Sequence, residues 1–199
     1  MNRIVRSAAV ALALVPALAF AQAATWNIDG SHTRTGFSVK HLVISDVKGE
    51  FGKTEGKVQL DEGDLSRSTV EVTIPADSID TRDAKRDAHL KSADFFDVAK
   101  FPTITFKSTK VVAGKDGALS ITGDLTMHGV TKPVTLDGEI TKAITDPWGL
   151  TRRGVTLTGK IDRKAWGITW GKVTDVGAVV GDEVKLDIQA EIVKEKPKA

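Results

Sequence analysis

The sequence predicts an all-β protein, a barrel or sandwich of about eight strands, with one short helix inserted near residues 82–91. Three observations predict it. Apolar residues recur at every second position in run after run, and Thr, Lys, Asp and Glu fill the positions between them. An antiparallel sheet with one wet face requires that pattern. Turn residues separate the runs at short spacing, as in barrels and sandwiches. A single stretch, TRDAKRDAHLKSADFF from Thr81 to Phe96, loses the period of two and is rich in helix formers.

The chain opens with MNRIVRSAAVALALVPALAFAQA. Arg3 and Arg6 form a basic start, an apolar run extends from Ala8 to Phe20, and Ala21-Gln22-Ala23 is a small-x-small close. These are the three parts of a secretory signal peptide, cut after Ala23. A run of about 13 apolar residues interrupted by Pro16 falls short of the roughly 20 that span a bilayer. Removing 23 of the 199 residues leaves 176, which we divide into one domain at 24–193 and a frayed tail at 194–199. The leader carries two of the 28 basic residues, so 26 basic face 26 acidic in the mature chain. A neutral chain with interspersed charges has no general pull toward nucleic acid. No later segment is apolar enough to span a membrane as a helix. With no cysteine, disulfides and thiolate metal sites are excluded.

The strands follow in order. Alternation marks Phe37-x-Val39-x-His41, Val70-x-Val72-x-Ile74, Ile104-x-Phe106, and Leu119-x-Ile121-x-Gly123-x-Leu125. It continues at Val134-x-Leu136, Val155-x-Leu157-x-Gly159-x-Ile161, and Val184-x-Leu186-x-Ile188. Turns are expected at Lys48-Gly49, Asp61 to Asp64, Gly114 to Gly117, His128-Gly129, Asp137-Gly138 and Val180 to Asp182. Gly123, Gly138 and Gly159 suit the bulges of a closing sheet. The helix spans Arg82 to Lys91, capped by Thr81, with Asp83 in its first turn and an Asp87–Lys91 pair. So short a helix has to dock on something. Four of the seven Phe lie between His89 and Phe106, immediately behind it. They either plug one end of the fold or form a movable wall of an apolar cavity. A closed barrel of about eight strands can enclose one small ligand.

Several motifs resemble the YceI-like family of polyisoprenoid-binding exported proteins. Trp26, Ile28, Asp29 and His32 match its opening, then Phe37, Val39, His41 and Leu42, then Gly49 and Phe51. Ser78 to Thr81, His89 to Ser92, Asp94 to Asp97 and Phe101-Pro102 match its middle, and 123–136, 161–168 and 181–192 its end. The resemblance covers essentially the whole mature chain. Thr33 stands where many relatives carry Ser, and Lys40 where many carry Arg. The resemblance implies an extended, lipocalin-like antiparallel barrel in the periplasm, whose apolar interior holds an isoprenoid lipid, a quinone or a polyprenyl phosphate.

Inward alternation then nominates tail-binding residues Phe37, Val39, Phe51, Val72, Ile74, Ile104, Phe106 and Leu125. Leu90, Phe95 and Phe96 would close the helix side, with Trp148, Trp166 and Ile168 at a rim beside Trp170. His41 has inward parity and is a head-group candidate, as are Arg34, Arg86 and His89; Lys40 and Arg82 could add charge near a mouth. Each of these also has a plain structural reading, as core packing or as a solvated charge. No nucleophile elbow, metalloprotease helix or phosphate loop appears, so no catalytic residue, metal or cofactor is assigned. The alternative is an enzyme acting on a bound lipid or quinone with His41 or His32 as acid/base. An exposed strand at a barrel gap could pair two copies into a homodimer.

Overall fold

The computed structural model describes residues 23–175 and 177–196, so all of the expected leader at 1–23 except Ala23 lies outside the described residues. Thirteen strands are described: β1 Ala24–His41, β2 Ser45–Phe51, β3 Glu55–Leu60, β4 Thr69–Pro75, β5 Ile79–Asp80, β6 Thr103–Ala113, β7 Ala118–Met127, β8 Val130–Ile140, β9 Ile144–Thr145, β10 Thr151–Asp162, β11 Val173–Thr174, β12 Gly177–Ala178 and β13 Val180–Lys194. The helix α1, Ala84–Lys91, lies between β5 and β6.

Eight of these strands close a barrel, antiparallel throughout, in the order β1, β13, β10, β8, β7, β6, β4, β3 and back to β1. Closure depends on β1, which serves two ladders on one edge. Its first residues, Ala24 to Asn27, pair with β3, while Thr35 to His41 pair with β2. Its other edge follows β13 over nearly its whole length. Between these halves, Gly30 to Thr33 pair with neither β13 nor the β2–β3 side, which leaves a seam in the wall. Among the described residues, β5 and β9 each pair on one edge only, and β2 meets β5 only at Glu50 and Phe51. β13 reaches Lys194, and the Glu195 N–H donates to Thr25 O at 2.8 Å, so ladder contacts extend into the expected tail.

Local chemistry explains where the elements differ from expectation. Asp83, rather than Thr81, caps α1, accepting from Lys85 N and Arg86 N. The helix cannot begin at Arg82, whose φ of +63° is left-handed. The Asp87 carboxylate is taken up by the backbone N–H and hydroxyl of buried Thr81, not by Lys91. Lys48-Gly49, Asp137-Gly138 and Val180 to Asp182 sit inside β2, β8 and β13 instead of forming turns. Gly138 and Gly159 are not bulges, because the registers run through both unbroken, whereas Gly123 is opposite Ser108 at the edge of a bulge in which Thr109 of β6 is the extra residue. The real irregularities fall on β1 and between Ser108 and Lys110 of β6. Close approach is what demands glycine: a Cβ at 138 would lie 1.8 Å from Thr156 O on β10, and one at 49 would lie 2.4 Å from the Phe37 ring.

Core residues are packed at both ends of the barrel. At the end where β1 starts, Trp26 is wholly buried beside Leu60 and Ile192. At the helix end, buried Arg163 holds the 166–170 segment to β13. Its guanidinium donates to the carbonyls of Ile168, Trp170 and Gly181 at 2.7–2.9 Å and to the Asp182 carboxylate at 3.1 Å. A buried guanidinium is tolerated only when its donors are this fully met.

Candidate functional site

The barrel encloses a cavity of about 190 Å³, lined by aliphatic and aromatic carbon with a few hydroxyls and no charged side chain. Three neighbouring strands build one wall. Val72 on β4 is opposite Phe106 on β6, which is opposite Leu125 on β7, and Ile74 is opposite Ile104. All five line the cavity, as does Phe51. The strand period of two explains why: residues two apart share a face, so each alternating run sends one set of side chains inward.

Phe51 links the cavity to the helix end. Its ring centroid lies 5.9 Å from that of Phe37 and 5.8 Å from that of Phe96, the latter edge-on. Phe37 is seated over Gly49. A second cluster joins Phe95, His89 and Trp170, with ring centroids 5.0–5.1 Å apart. Leu90 is half-buried against the same core, and Trp166 and Ile168 are buried, with the Trp166 indole N–H donating to Leu125 O at 3.1 Å. Phe37, Val39, Leu90, Phe95, Phe96, Trp166 and Ile168 thus lie outside the cavity lining, most of them in the layer that closes it. Trp148 stands apart, 78% exposed in the Asp146–Leu150 turn at the opposite end of β10.

The polar candidates do not converge. Arg34 has the parity opposite to cavity-lining Thr33 and Thr35, and its guanidinium is paired with Glu50 at 2.9 Å and Asp187 at 2.8 Å. Arg86 donates to the hydroxyl and carbonyl of Thr81, both at 2.7 Å. His89 Nε2 lies 2.7 Å from Asp94, and Lys40 pairs with Asp46 at 3.0 Å. Arg82 is exposed. His41 is half-buried at the last position of β1, outside the lining, and His32 is mostly exposed. The sequence reading missed four hydroxyl residues of the lining: Thr33, Thr35, Thr54 and Ser68. Extending the Phe37 and Val39 alternation backward would have found the first two.

An ionic cluster sits apart from the cavity lining, beside the β1 seam. Arg152 is central, 2.6 Å from Asp29, 2.7 Å from Asp146 and 3.1 Å from Glu191. Ser31, Arg152 and His32 together hold the Asp29 carboxyl well below the usual carboxylate range. Arg152, with the N–H groups of Leu150 and Trp148, lowers Asp146 likewise. Asp29, His32 and Glu191 have metal-ligand spacing, but the guanidinium already occupies the space between the two carboxylates. Folded-state pKa values below the unfolded ones add stability that is complete above about pH 4 and is lost as pH falls through the folded values. Arg152→Met is therefore expected to lower the thermal midpoint most near neutrality, and the gap to wild type should narrow below about pH 4. Circular dichroism melts from pH 7 to 2 check this; a constant gap would exclude the ion pairs as its cause.

A family profile described as the YceI-like domain matches residues 26–192. The chain belongs to the YceI-like family. It is 44% identical over 178 residues to protein YceI of Salmonella newport, covering 88% of this chain and 90% of that one. Among solved structures it is similar to the YceI protein of Campylobacter jejuni, with a TM-score of 0.69 and 32% identity, covering 79% of this chain and 90% of that one. It also matches a polyisoprenoid binding domain from Saccharophagus degradans, with a TM-score of 0.65 and 13% identity over 87% of this chain and 99% of that one. That last likeness concerns the fold. The antiparallel barrel is what the family resemblance implied, and its eight strands and one short helix are what the alternation and its single break predicted.

Proposed function

We propose that this YceI-like protein is a periplasmic binding and carrier protein that holds the tail of an isoprenoid lipid in its barrel. The observation that carries the reading is the cavity inside the barrel, lined without a single charged side chain. A hydrocarbon tail needs a dry channel whose surface is almost wholly carbon. Burying roughly 300 Å² of it supplies about 7 kcal/mol before the costs of association. The polyisoprenoid binding named for the Saccharophagus domain supports the same ligand class. Binding rather than turnover fits a site whose lining holds no histidine, carboxylate or lysine to move a proton.

A cavity of about 150 Å³ takes one benzene, so the ~190 Å³ here accommodates only a short piece of prenyl chain as it stands. A longer tail has to part the wall. The helix end is the natural place, because no residue of α1 is buried and the residues flanking the segment, Arg82 and Asp97, both have positive φ. Phe37, Phe95 and Phe96 would then meet the tail as it enters.

The test is native mass spectrometry of the mature protein, released gently from its own periplasm and extracted with organic solvent. A stoichiometric adduct that extracts as a polyprenyl lipid or quinone is expected. A clean apo mass, unchanged after incubation with isoprenoid-containing vesicles, would rule out the carrier.

A further inference from the structure

Thr33 lines the cavity, yet its hydroxyl is shut away from solvent and has no hydrogen-bond partner among the described residues. The other hydroxyls of that wall are engaged. Thr35 and Thr54 bond one another at 2.8 Å, and Ser68 accepts from Asp61 N–H at 3.0 Å. Buried polar side chains almost always find partners, so an orphan needs a reason. Its position supplies one. Thr33 lies in the Gly30–Thr33 seam, where β1 has left one ladder and not yet joined the next. No ladder fixes this stretch, and threonine carries a methyl and a hydroxyl on the same carbon. A turn about χ1 exchanges the two and brings the O–H to the cavity surface that carbon now covers.

We propose that the Thr33 hydroxyl is a ligand-binding group that donates a hydrogen bond to a neutral oxygen, carbonyl or hydroxyl, of the bound lipid inside the barrel. This rests on the lipid-binding reading above and specifies its polar contact. The oxygen is neutral because nothing in the lining could pair with an anion. The nearest cation candidate, Arg34, has opposite parity and is held by Glu50 and Asp187. A phosphate buried here would remain an uncompensated charge, whereas a carbonyl or alcohol needs only the one donor. A pure hydrocarbon would leave Thr33 as unpaired as it is now. The wall therefore discriminates among lipids by the oxygen they carry to this depth, not by charge at a mouth.

The experiment titrates full-length mature protein with three probes that share one tail: farnesol, the matching hydrocarbon farnesene, and farnesyl phosphate, followed by tryptophan fluorescence. Wild type should bind farnesol about 2- to 10-fold more tightly than farnesene, the yield of one neutral hydrogen bond. Thr33→Val should erase that preference, leave farnesene affinity unchanged, and keep or raise the apo thermal midpoint. Thr33→Ser should retain the preference. Equal binding of farnesol and farnesene by wild type, or a preference that survives in Thr33→Val, would overturn the Thr33 assignment and leave the carrier reading intact. Farnesyl phosphate binding more tightly than farnesol would overturn the neutral-oxygen specificity. Failure of all three probes to bind would remove the carrier reading and this inference together. A fall in the apo midpoint of Thr33→Val would mark the hydroxyl as structural.

Discussion

Trp26→Ala is expected to lower the thermal midpoint by roughly 6–20 °C, the largest stability effect of any single truncation in the barrel. Removing a fully buried tryptophan costs about 3–5 kcal/mol, and each kcal/mol moves the midpoint of a chain this size by about 2–4 °C. Trp26 is wholly buried and stands one layer beyond the cavity, opposite Val58 on β3 and Lys194 on β13. The Arg153 guanidinium and the Lys194 ammonium each lie 5.7 Å from its ring centre, so two cations use the ring as well as the core. Truncation would open the closed end of the barrel and strand both charges over a void. Trp26→Phe is the informative companion. The indole N–H has no partner among the described residues, so exchanging it for a carbon edge removes an unsatisfied donor while keeping an aromatic plug. Phe should therefore recover most of the loss, as read by thermal melts of both variants. Equal losses for Ala and Phe would mean that the indole's size or N–H, and not an aromatic plug as such, closes the barrel.

Much of this architecture was legible because strand alternation is a local signal. Val72, Ile74, Ile104, Phe106 and Leu125 announce an inward face through their spacing alone, and the structure puts them on one cavity wall. The aromatic layer at Phe95 and Phe96 could be anticipated because Pro102 and the neighbouring charges leave those rings nowhere else to go. What could not be read was pairing at a distance. Arg34 and Arg86 look like ligand cations in a linear sequence, but the groups that engage them are set by the fold: Asp187 is 153 residues from Arg34, and the Thr81 carbonyl is reached only through the cap geometry of α1. The seam at Gly30 to Thr33 was equally hidden, since a strand that changes partners carries no periodic signature. The glycines misled for a related reason. Gly138 is required by the approach of β10, a contact no local pattern contains.

Ala190→Phe is expected to reduce isoprenoid binding at least tenfold while leaving the fold intact. Ala190 lines the cavity on β13 and is opposite Val155 on β10. On its other side the β1 ladder is interrupted, because Glu191 faces Asp29 and Gln189 faces Arg34 with the seam between them. A benzene fills a cavity of about 150 Å³, so a phenyl ring rooted at this position takes most of the ~190 Å³. The added ring enters a lining that is mostly carbon, and the open seam gives the wall room to adjust. Overpacking in a tight core costs about 1–3 kcal/mol, but here the ring enters existing space and buries apolar area. The thermal midpoint should accordingly hold or rise as affinity falls, and that opposition separates a blocked cavity from a damaged protein. Gln189→Phe, one residue away on an exposed position, carries the same ring outward and should bind lipid as wild type does. If Ala190→Phe bound isoprenoids unchanged, the tail would have to lie elsewhere, and the enclosed space would be a packing defect of the barrel instead of its binding site.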